Sequence, residues 1–216
     1  MKLHFLNSIR SSSRILSRAI LGMLLLCGSA HAASFFHVTV NTSALIGNSS
    51  APFSLDFQFN NGTTLNNNSA VVNNFTFSGG GATGSATALG GATGNISTSV
   101  VFNNSSAFQE LFQTFNPGSS LGFDVNLTTN LDGATPDAFV FAILDKNLAN
   151  IPTTGLGDSL LLVNVNSANP AKQTFSGTGA FASVTVFATP EPSSYVLLLA
   201  VLPLLAFVVR KKNHSA

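Results

Sequence analysis

Hydrophobic and polar residues alternate one for one through much of the middle of this chain. Phe53, Leu55, Phe57 and Phe59 alternate with Ser54, Asp56, Gln58 and Asn60. Phe36, Val38 and Val40 alternate with His37, Thr39 and Asn41, and Leu121, Phe123, Val125 and Leu127 with Gly122, Asp124, Asn126 and Thr128. Successive side chains of a strand point to opposite faces, so each segment predicts a strand with one buried and one wet face. Val71–Phe77, Ile96–Phe102, Leu160–Val165 and Thr174–Phe187 predict further strands between Asn/Gly/Pro clusters. Ala138–Leu144 is apolar on both faces and predicts a central strand.

One stretch departs from period two. Phe108, Leu111, Phe112 and Phe115 fall at i, i+3, i+4 and i+7, with Ser106 three residues before Gln109 and Asn116-Pro117-Gly118 as a stop. This predicts a short helix over Ala107–Phe115. Nine or ten strands with one helix give the expected class: all-β, an antiparallel two-sheet sandwich, jelly-roll-like, with one short helix. Gly80-Gly81-Ala82-Thr83-Gly84 recurs as Gly90-Gly91-Ala92-Thr93-Gly94. Two copies are too few for a solenoid and predict a flexible Gly-rich hairpin.

The two ends read differently. Lys2, Arg10, Arg14 and Arg18 precede the apolar run Ala19–Cys27, and Ala30-His31-Ala32 follows with small residues where a signal peptidase reads. The expected cut lies after Ala32, with Ala33 as second choice. Cys27 follows Leu26 rather than a small residue, so it is read as part of the discarded segment and not as a lipid attachment site. At the other end Pro190-Glu191-Pro192 is followed by Ser193 and Ser194, the apolar run Tyr195–Val209, and Arg210-Lys211-Lys212. The prolines fix an extended, accessible tripeptide. The fifteen residues of that run cover only about 22 Å of a hydrocarbon core of roughly 30 Å, with Pro203 inside. Such a span suits a segment held until it is cleaved; an ordinary tail anchor is the alternative.

Pro190-Glu191-Pro192, the small polar residues, the apolar span and the basic stop resemble, in that order, the PEP-CTERM sorting domain of Gram-negative bacteria. The resemblance covers about an eighth of the chain. It implies export, recognition by exosortase (a membrane-embedded cysteine transpeptidase) and an association with secreted exopolysaccharide. The segment His37–Thr42 followed by Leu55–Asn60 also resembles a recurrent subgroup of such exported proteins, which carries no implied activity. The expected organisation is a signal helix over 1–32, an exported domain over 33–189 and a sorting tail over 190–216, with a transmembrane helix over 193–209. The precursor would sit in the inner membrane, and the mature form at the cell surface or in the extracellular matrix.

Removing the ends changes the charge. Of nine basic residues only Lys146 and Lys172 lie within 33–189, against seven of the eight acids, so this part carries 2 − 7 = −5. Basic flanks on the outer side of each hydrophobic run place both precursor termini in the cytoplasm. An acidic domain with two lysines has no footprint for nucleic acid.

Candidate chemistry in 33–189 is sparse. There is no cysteine and one histidine, His37, on a polar strand face where a solvated role is expected. No Gly-x-Ser-x-Gly surrounds any serine, and zinc needs more ligands. Glycoside hydrolysis needs two carboxylates, but Asp56, Asp124 and Glu110 read as outward, solubilising charges. Calcium is the better ion: Asp132, Asp137 and Asp158, with Asp145, lie at expected turns or strand ends, although aspartates also cap turns. The expected function is a non-catalytic surface or matrix protein processed by signal peptidase and exosortase. The alternative is a carbohydrate-binding module for the secreted polysaccharide, which the absence of Trp and Tyr from the domain weakens.

Overall fold

The computed structural model describes residues 33–62, 68–103, 105–130, 135–165, 170–178 and 182–189. The expected signal segment with Ala30 and Ala32, the motif Pro190-Glu191-Pro192, the span, the basic stop Arg210-Lys211-Lys212 and Asp132 lie outside the described residues. Among the described residues no helix is long and apolar enough to cross a membrane.

Period-two segments become strands. In chain order they are β1 (Ala33–Asn41), β2 (Phe53–Asn60), β3 (Ala70–Phe77), β4 (Gly81–Ala82), β5 (Thr87–Leu89) and β6 (Thr93–Gly94). There follow β7 (Val100–Phe102), β8 (Phe108–Asn116), β9 (Ser120–Thr128), β10 (Asp137–Leu144), β11 (Leu161–Val165), β12 (Ala171–Thr174) and β13 (Ser183–Thr189). The described residues are all-β, with two antiparallel sheets. The first has the order β13-β1-β9-β3-β7-β6, and the second β12-β11-β10-β2-β8-β4, with β5 also on β8.

The core lies between the sheets and is built on phenylalanine. Phe57 of β2 meets Phe75 and Phe123 of the first sheet edge-on, at centroid distances of 5.8 and 5.3 Å. On its own sheet it stacks with Phe139 at 6.3 Å and Phe141 at 5.1 Å. Edge-on and offset pairs at such distances each add to the gain from burial. The expected inward residues of β1, β2 and β9 are all buried, and β10 runs between β11 and β2 as a central strand should.

A bulge in β3 sets the phase of this core. Asn73 opposes Asp124 and Thr76 opposes Gly122, so β3 carries one residue more than β9 across that interval. Asn74 takes φ +53, a conformation that asparagine tolerates better than most residues. Ala70 and Val72 face inward before the bulge, and Phe75 and Phe77 pack on the core after it. Unbroken alternation would have turned Phe75 away from Phe57.

Three expectations are corrected. The helix over Ala107–Phe115 is the strand β8, paired with β2 from Phe108 to Phe115. Its buried residues are Gln109, Leu111, Gln113 and Phe115, a period of two, while Phe108 is exposed. The two inward glutamines disguised the alternation. They are satisfied by the segment that crosses beneath them: the Gln113 carbonyl accepts the Ile96 N–H (3.0 Å) and its amide donates to the Gly84 carbonyl (3.0 Å). Gln109 binds Asn103 and Ser105 in the same way. Secondly, Thr174–Phe187 is two strands, β12 and β13, on different sheets. Thirdly, Ile96 is buried outside a strand, with β7 confined to Val100–Phe102.

The glycine repeat is a pair of fixed turns rather than one hairpin. The first copy leads into β4 on the second sheet, and the second into β6 on the first. Gly90 (φ +64) and Gly94 (φ +99) cannot be replaced cheaply, because a Cβ would collide with the carbonyls of Phe108 and Ser99.

Phe57→Ala removes a ring that touches aromatic partners on both sheets. It is expected to cost about 3–5 kcal/mol in urea-induced unfolding, against no more than about 0.5 kcal/mol for truncation of the exposed Leu148.

Candidate functional site

Two polar clusters stand on the outer faces of the sheets, and each contains a residue expected to be a free surface charge. On the first sheet His37 lies directly opposite Asp124, and Asp124 opposite Asn73. The His37 Nδ1–H donates to Asp124 Oδ1 at 2.6 Å, and the Asn74 side-chain amide donates to Oδ2 at 2.7 Å. Asp124 is therefore not the solvated charge expected: it is buried beneath its partners, while the His37 side chain stays 50% exposed. The bulge that phases the core also creates this cluster, by bringing two asparagines to one aspartate. Phe187 of β13, 61% exposed, faces His37 from the other side. Phe187, His37, Asp124 and Asn73-Asn74 thus form one row across four strands.

An imidazole oriented by a carboxylate is half of a nucleophile-activating constellation. The other half is not supplied: among the described residues Asp124 is the one hydrogen-bond partner of His37. The row offers instead an aromatic ring beside an imidazole, a carboxylate and an amide, which are the groups that hold polar ligands by stacking and hydrogen bonds.

On the second sheet Asp56 sits between Phe112 of β8 and Ala142 of β10, and it is buried rather than solvated. Its Oδ2 accepts the Gln58 amide at 2.7 Å, whereas Oδ1 is buried without a partner. Glu110 reaches the same amide at 3.4 Å. Burial pushes the Asp56 carboxyl from its ordinary 3.8 up to about 7; the Glu110 carboxylate adds to the rise and the Gln58 amide opposes it. Asp56 and Glu110 are the nearest approach to a carboxylate pair of the glycosidase kind, but one of them is closed off from substrate.

Of the aspartates expected to hold calcium, Asp137, Asp145 and Asp158 are used as turn and strand-end clamps. Asp137, at the start of β10, accepts the Gly62 N–H (2.7 Å) and the Asn68 side-chain amide (3.0 Å), and Asn68 in turn binds Asn130. Asp158 accepts the Thr153 N–H at 2.9 Å. Asp145 accepts the N–H groups of Asn147 and Ala149, and those bonds hold its carboxyl below the ordinary range. Among the described residues no three His, Cys, Asp or Glu side chains gather around a common point. Asn68, Asn73, Asn74, Gln109 and Gln113 were missed as organising residues. The one signal for them was an amide placed where the alternation called for an apolar residue or an extra one.

The chain matches no family model, no curated protein and no solved structure.

Asp56 makes stability depend on pH with a definite sign. Between 3.8 and about 7 the folded state holds a proton that the unfolded chain has released, so folding takes up a proton. Stability therefore falls as pH rises through that window, and stays low above it. The thermal midpoint followed by circular dichroism is expected to drop between roughly pH 4 and roughly pH 7, and Asp56→Asn to abolish most of that drop.

Proposed function

We propose that residues 33–189 are the folded cargo of an export and sorting system, and act as a non-catalytic component of the cell surface or exopolysaccharide matrix. The observation that carries this reading is the ordered tail: Pro190-Glu191-Pro192, an apolar span too short for a comfortable anchor, and Arg210-Lys211-Lys212. Signal peptidase would act after Ala32 and exosortase at the tail, with the inner membrane holding the precursor between the two events. The strand pairing supports this scheme. Phe35 lies opposite Thr189, so the described domain begins and ends on neighbouring strands. Nucleic acid is not a partner on this reading, because the domain is acidic.

The finer architecture is jelly-roll-like. Successive strands β1, β2 and β3 alternate between the sheets, and β8 and β9 return between them, so that β1-β9-β3-β7 faces β2-β8-β4. Crossing of this kind is what two nested Greek keys produce.

A second reading, a carbohydrate-binding module, is favoured by one observation: the row of Phe187, His37, Asp124 and Asn74 on an open sheet face. A glycan array separates the two readings. Saccharide retention lost in Phe187→Ala supports binding, and no retention leaves the structural role.

The sorting reading is tested on the mature native protein by mass spectrometry. No peptide from Tyr195 to Ala216 is expected, and an intact C-terminus in the mature protein would replace sorting by permanent anchoring.

A further inference from the structure

The four ends of the two sheets are protected unequally. β4 and β6 are two residues long and β12 is four, whereas β13 runs for seven residues, Ser183–Thr189, at the edge of the first sheet. Short edges offer little to pair with, while a long neutral edge is a template for another strand. β13 contains no charge and no proline, and alternates Val184 and Val186 with Thr185 and Phe187. Among the described residues, a bridge between Ser176 and Ser183 closes its first residue only.

The backbone groups of Val186 face the open side. A methyl group on Gly122 would meet the Val38 carbonyl, which places that carbonyl towards β9. Val38 pairs with Val186 on its other flank, so by the alternation of an antiparallel ladder Val186 turns its N–H and C=O away from β1. One side chain meets them. Lys172, from the edge strand of the opposite sheet, donates from Nζ to the Val186 carbonyl at 3.3 Å. The same ammonium lies 5.9 Å from the centre of the Phe36 ring. Lys172 pairs with Val163, a core residue, so its stem starts on the inward side and its charge ends at the seam between the sheets. A lysine turned across an open edge is a known obstacle to a further strand.

We propose that the free edge of β13 is a latent interface for a second copy of this chain, held shut by Lys172. The strand is self-complementary about a two-fold axis through Val186. Antiparallel pairing of β13 with its copy sets Phe187 opposite Thr185 twice on the outer face, an aromatic against a β-branched side chain. Such an interface is isologous and closes as a dimer.

The test is sedimentation velocity on the full-length chain in detergent, at matched concentrations. The wild type is expected to be monomeric, and Lys172→Gln, which keeps much of the stem and loses the charge, to shift to a dimer with at least tenfold tighter association. Adding Phe187→Lys to that variant is expected to restore the monomer. Lys172→Ala, checked for folding by circular dichroism, provides a second unlocked form. Unlocked variants that stay folded and monomeric overturn the proposal. So does a dimer that survives Phe187→Lys, which would lie on another surface, or a wild type already dimeric with Lys172 in place.

Discussion

The fold depends on an extra residue in β3. The bulge at Asn73-Asn74 lets two runs of opposite phase, Ala70/Val72 and Phe75/Phe77, face the same core. Without it Phe75 could not reach Phe57, a ring that touches aromatic partners on both sheets. From there the aromatic contacts continue in both directions. Phe75 leads through Phe77 to Phe115, and Phe139 through Phe102 to Phe59. A core of rings in contact tolerates little change of register, because a slip by one residue would turn every ring outward.

Amides take the role that charges have in most domains. Gln109 and Gln113 point inward from β8 and fasten the glycine-rich segment that crosses between the sheets. Asn68 and Asp137 tie the residues before β3 to those before β10. These groups are buried and paired, so each fixes one arrangement: leaving a donor or acceptor unmade inside costs about 1–3 kcal/mol. Asp56 and Asn73 are the exceptions among the described residues, each with one buried oxygen unpartnered, and the Asp56 carboxyl holds its proton up to near neutrality. The same use of amides explains how a chain with so few charged residues in 33–189 keeps a specific fold.

The strands with clean alternation were legible because period two survives wherever the inward residues are all apolar, as in β1, β2 and β9. β8 was misread because Gln109 and Gln113 occupy inward positions, leaving Phe108, Leu111, Phe112 and Phe115 to imitate a helical stripe. The bulge was not legible either, since Val71–Phe77 reads as one strand unless the two asparagines are taken as a break. For the site, the sequence marked His37, Asp56 and Asp124 as polar-face residues and was right about the face. It missed the burial of Asp56 and Asp124, which depends on which residues of neighbouring strands stand opposite them, and that is a fact of register. The calcium reading of Asp137, Asp145 and Asp158 had a competing physical cause, backbone clamping, which accounts for the bonds they make.

The functional account treats 33–189 as a domain that folds on its own core, with two detachable ends devoted to delivery. Hydrogen exchange followed by NMR on residues 33–189 expressed alone tests that claim most directly. The account predicts a cooperatively folded domain whose slowest amides lie in β2, β9 and β10 around Phe57, with β4 to β6 exchanging earlier. Rapid exchange throughout, or protection that appears only when 1–32 or 190–216 is restored, would contradict it.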